Sequence, residues 1–134
     1  MRLGVVAGLA LIAMVPACAG SDRPASPERL GRFMGLVAQC GCSDVSLSRM
    51  LADYPRAVAG RYPAAEVARM RGFIEVGGTE NYTNQVPICA EACSQHCLVN
   101  AVVVPLGGRP VGDGAVCAPV EGRLNLTTGW QDTE

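Results

Sequence analysis

Seven cysteines, at positions 18, 40, 42, 89, 93, 97 and 117, constrain this chain more than any other feature. Cys18 stands apart near the N-terminus, and setting it aside leaves six. An even number in a short exported domain is the pattern of three disulfides. Pro87 suits the first turn of a helix running from about Ile88 to Asn100. On such a helix Cys89, Cys93 and Cys97 fall in one stripe, four residues apart. Their side chains then run parallel, so a bond between two of them would strain the helix, and each is expected to reach a different segment. Cys40, Cys42 and Cys117 are the available partners. The expected frame pins the end of an N-terminal helix, through Cys40 and Cys42, against the cysteine helix, with Cys117 clasping the C-terminal region.

The N-terminus explains the compartment. Met1 and Arg2 precede twelve uncharged residues, Leu3 to Met14, a run shorter than the roughly 20 residues a membrane-spanning helix needs. It has the form of a signal-peptide core, which makes residues 1–19 a signal peptide. Two cleavages are consistent with Val15-Pro-Ala-Cys-Ala19. Val15-Pro-Ala-Cys18 resembles the lipobox of bacterial lipoproteins, with cleavage before Cys18 and lipidation of its sulfur. Ala17-Cys-Ala19 is instead an A-x-A site, with cleavage after Ala19 and release of a soluble periplasmic or secreted protein. Residues 20–27, polar and proline-bearing, read as a flexible tether, and 28–134 as one disulfide-rich domain.

Within that domain Leu30, Phe33, Met34 and Val37 follow helical spacing over about Pro27 to Cys40. Asp44 or Ser46 can cap a second helix carrying Leu47, Met50, Leu51 and Tyr54, limited by Pro55. A third helix starts near Pro63, turns Val67, Met70, Phe73 and Ile74 inward, and stops at Gly77-Gly78. After Asn100 the pattern changes. Ala101-Val-Val-Val-Pro105 reads as a strand, and 107–114 as a glycine-rich turn. Ala115–Val120 and Arg123–Thr128 complete a small antiparallel β-meander. The expected fold is α+β, about four short helices followed by the meander, stapled by disulfides.

Composition excludes several functions. Eleven basic against twelve acidic side chains give a net charge of −1, which removes the electrostatic case for nucleic-acid binding. Every basic residue is arginine, so no lysine chemistry is available. His96 is the sole histidine, and any Ser-His or Cys-His mechanism must use it. On a continuous helix Ser94 and His96 face opposite ways, so Glu91, Ser94 and His96 do not form a triad. The carboxylates, Asp53, Glu66 and Glu75 among them, sit singly, without the aromatic lining a sugar-cleaving cleft needs. Asn81-Tyr-Thr83 and Asn125-Leu-Thr127 match the glycosylation sequon, relevant only in a eukaryotic secretory pathway.

The sequence therefore leads to an exported bacterial cell-envelope protein on the periplasmic side, lipid-anchored through Cys18. Its role is expected to be non-catalytic and cofactor-free: binding an envelope protein or serving an envelope assembly, touching the membrane only through its anchor. An alternative is a soft-metal carrier for copper or zinc, using Cys89, Cys93, His96 and Cys97 with Cys40 and Cys42 nearby. A thiol–disulfide oxidoreductase is a third reading, disfavoured because neither C-x-x-C nor a βαβ pattern is present.

Overall fold

Leu30, Phe33, Met34, Leu36 and Val37 are wholly buried, together with Gly31 and Gly35, so one helix is enclosed on nearly every side. That helix is α1 (Pro27–Gln39), begun by Pro27 at its first turn and by the Ser26 hydroxyl, which accepts from the Arg29 N–H at 3.2 Å. The computed structural model describes residues 23–124. Around α1 stand α2 (Leu47–Ala57), α3 (Ala64–Thr79), α4 (Gln85–Ser94) and α5 (His96–Val103), closed by a single 3-10 turn at Val104–Leu106. The expected signal peptide, 1–19, and residues 20–22 of the expected tether lie outside the described residues. Residues 23–26 are held against the C-terminal segment: Ala25 donates to the Pro119 carbonyl at 3.1 Å and Glu121 to the Arg23 carbonyl at 2.9 Å.

The domain is all-α, not α+β. Among the described residues the only β feature is an isolated bridge between Pro24 and Val120. Residues 101–103, read as strand, are the end of α5, and Val104–Leu106 is the 3-10 turn. Leu98 to Val103 are all buried, and a fully buried helix segment shows the same unbroken apolar run as a buried strand. Residues 115–119 form no ladder. Of the third expected strand, Arg123 lies in a turn, Leu124 is irregular, and the rest lies outside the described residues.

Three helix boundaries also differ from expectation. Pro55 sits inside α2, which continues to Ala57. Proline leaves the Leu51 carbonyl without its helical donor, and the Arg71 guanidinium donates to it at 3.1 Å instead. Gly77 and Gly78 do not stop α3, because they are where it meets α1. A Cβ on Gly77 would lie 2.8 Å from the Arg32 Cα and closer still to its carbonyl oxygen, and one on Gly35 2.5 Å from the Gly78 nitrogen. Gly31 faces Met70, Phe73 and Ile74, while the Gln39 side chain donates to the Glu80 carbonyl at 2.9 Å. The two helices thus run side by side in the same direction, backbone against backbone. Finally, the cysteine helix is two helices, broken at Gln95 and bent by 80°. At the break Ser94 Oγ donates to the Glu91 carbonyl at 2.8 Å, occupying the acceptor that a continuing helix would use.

Gly77→Ala should therefore lower stability by about 1–3 kcal/mol or more through forced displacement of α1. Gly72→Ala, where nothing lies within 4 Å of the added carbon, should raise stability by up to ~1 kcal/mol through helix propensity. Denaturant unfolding of the oxidised protein reads both, and equal effects would contradict the backbone contact.

Candidate functional site

C-x-C faces C-x-x-x-C across the join of α1 and α4. Cys40 caps the end of α1, and Gly41, at φ 64°, takes the left-handed conformation that turns the chain there. Four residues along a helix rise about 6 Å, and two residues of non-helical chain span a similar distance. The two spacings match, and the bonds formed are Cys40–Cys89 and Cys42–Cys93, with Cα separations of 5.2 and 5.0 Å. Cys97, on α5 beyond the bend, pairs with Cys117 at a Cα separation of 5.1 Å. The single stripe of three cysteines is thus divided between two helices. Three disulfides place the chain in an oxidising, non-cytoplasmic compartment.

His96 opens α5 at an exposed position and borders a cleft of about 370 Å³ with Ser94, Gln95, Cys97, Leu98 and Arg123. Gly112 lies against its ring. The soft-metal set of Cys89, Cys93, His96 and Cys97 is divided between α4 and α5, and each of its sulfurs is bonded to another sulfur. Among the described residues no group of three or more His, Cys, Asp or Glu could hold a metal ion. The Ser94 hydroxyl donates its hydrogen bond to the Glu91 carbonyl.

Two further polar arrangements hold the fold here. The first is Asn100, wholly buried in α5. Its amide donates to the Val111 and Ala115 carbonyls at 3.0 and 2.9 Å, and its oxygen accepts the Val111 N–H at 2.8 Å. This latch holds the glycine-rich loop on the core. A lone asparagine inside Leu98-Val-Asn-Ala-Val-Val103 was the available signal, since a polar group in an apolar run must find partners.

The second is a clasp between the two ends of the described chain. Glu121 pairs with Arg29 and accepts the Ser26 N–H at 2.8 Å, and Arg29 also donates to the Leu124 carbonyl. Tyr62 donates to the Ala25 carbonyl at 2.6 Å. Burial, opposed by the Arg61 charge and aided by Glu121 and Glu66, pushes the Tyr62 hydroxyl up to about 12. Burial and the adjacent Glu80 do the same for Tyr82, also to about 12. A cleft of about 400 Å³ opens beside the clasp, lined by Arg23, Pro24, Arg61, Tyr62, Glu66 and Glu121.

Among the described residues no single helix is long and apolar enough to cross a membrane. No protein family, curated protein or solved structure matches the chain.

Asn100→Ala is expected to cost about 2–3 kcal/mol, from the net loss of three hydrogen bonds, and to speed exchange of the Val111 amide. Unchanged exchange would show that the loop does not depend on the latch. The tyrosines set an alkaline limit. Their folded pKa values exceed the ordinary value of 10, so the stability they carry is complete below pH 10 and lost as pH rises toward 12. Urea unfolding across that window should show the fall, with a flatter slope in Tyr62→Phe/Tyr82→Phe.

Proposed function

We propose that the chain is an exported bacterial cell-envelope protein, anchored by a lipid on Cys18 at the periplasmic side. Its folded part acts as a rigid, non-catalytic binding or structural piece of an envelope assembly, with a protein partner there. One observation carries this reading. The six cysteines of the folded part bond among themselves, so Cys18 has no partner left within the chain. Cleavage after Ala19 would remove this odd cysteine, whereas lipidation gives its sulfur a separate use, and lipidation is preferred because the residues before it, Val15-Pro-Ala, resemble a lipobox.

The compartment and the covalent frame agree. Disulfides persist outside the cytoplasm, and an export signal of the length seen at Leu3–Met14 supplies the route. Rigidity suits a binding role, because a preorganised surface loses little conformational entropy on association.

Intact mass of the native protein from envelope fractions, with and without reduction and alkylation, tests the proposal. Six cysteines should alkylate only after reduction, and the first residue should be Cys18 carrying acyl chains. Cleavage after Ala19 would overturn the anchor. Several thiols alkylating without reduction, or a metal in the native mass, would overturn the rigid-scaffold reading.

A further inference from the structure

The clasp lies at the end of the fold that is nearest, along the chain, to Cys18. Arg23 is five residue steps from Cys18 along the chain, and five fully extended steps reach about 17 Å. A headgroup layer of roughly 5–7 Å takes part of that span. What remains is comparable with the Debye length of about 8 Å at physiological ionic strength. A domain anchored through Cys18 therefore keeps its clasp pole within electrostatic range of the membrane surface.

The charges at that pole are unevenly engaged. Glu121 is already held by Arg29 and by the Ser26 N–H. Glu28 lies 3.6 Å from Arg32. Arg23 and Arg61 are exposed in the lining of the cleft, with half-buried Glu66 as the remaining carboxylate there. Arg123 is exposed next to Leu124, whose carbonyl Arg29 holds. Guanidinium groups present paired N–H donors that match phosphate oxygens.

We infer that this pole, with Arg23 and Arg61 at its cleft, is the face that the domain lays on an anionic phospholipid surface. The inference rests on the anchoring of Cys18 proposed above. It fixes orientation: α1, thirteen residues and therefore about 20 Å long, then separates the membrane face from the opposite pole. There Asp44 accepts the Arg109 N–H at 2.9 Å, and Arg49 reaches Gly107.

The test uses the full lipidated chain, reconstituted in phosphatidylcholine vesicles with or without phosphatidylglycerol. Phenylglyoxal modification of each arginine is read by mass spectrometry. Modification of Arg23 and Arg61 should fall several-fold with phosphatidylglycerol, while Arg49 and Arg109 keep their rates. Inorganic phosphate added to phosphatidylcholine vesicles should leave all four unchanged. An acylated Cys18 with uniform rates, or with protection at Arg49 and Arg109, overturns the face while the anchor stands. Protection by phosphate alone replaces the lipid surface with a small-anion cleft. A Cys18 without acyl chains removes the anchor, and the orientation falls with it.

Discussion

The rest of the structure depends on the direct approach of two backbones, α1 and α3. Gly35 on one helix and Gly77 on the other meet backbone directly, Gly31 lies against the Phe73 Cβ and the Met70 carbonyl, and Gly78 leaves room for Leu47 of α2. Glycine inside a helix costs up to about 1 kcal/mol relative to alanine, so propensity alone would shorten α3. The close approach offsets this by bringing many atoms into dispersion contact and by leaving the opposite face of α1 to its large side chains. Phe33, Met34 and Val37 then carry the other helices, with Met50, Ile88, Val99 and Val102 closing the core.

A helix so enclosed must be fixed at both ends, and two different chemistries do this. At the C-terminal end of α1 the bonds are covalent. Cys40–Cys89 and Cys42–Cys93 close separations of 49 and 51 residues, and Cys97–Cys117 closes 20. In the chain-entropy view each restricts the unfolded state by about 3–4 kcal/mol. At the N-terminal end the fastening is polar, through Glu121, Arg29 and the backbone of residues 23–26. The Glu121 charge is buried enough to need partners and has two. The single continuous element spanning both fastenings is α1.

What the residues revealed in advance follows from this arrangement. The spacing of Leu30, Phe33, Met34 and Val37 marked α1, and Asp44 or Ser46 marked the start of α2, where Ser46 is the cap, because both are local patterns. The segments joined by cysteine were legible, since helix geometry left each of Cys89, Cys93 and Cys97 only a distant partner. Val102 and Val103 misled because burial on all sides erases periodicity, and β-branched residues then suggest a strand. Gly77-Gly78 misled because the same residue serves as helix stop and as close-contact point, and only the position of Arg32 decides between them. Gln95 carries no breaking residue type; the break arises from side chains competing for the Glu91 carbonyl. The Arg29–Glu121 pair spans 92 positions, and no local pattern encodes such a distance.

The distribution of fastenings bears on what the protein can present to others. Asn100 and the Cys97–Cys117 bond hold the segment after α5 at two points, through Val111 and through Cys117 itself. Arg109 is held independently by Asp44. A loop secured at several points by groups of different chemistry has few conformations left to lose, and binding through it would cost little ordering entropy. With the clasp pole turned to the membrane, residues 107–111 lie at the other end of α1, beside Asp44 and Val45. In the proposed orientation the surface best prepared for a protein partner is the one farthest from the lipid, and the asymmetry between the two poles follows from where the chain enters the fold.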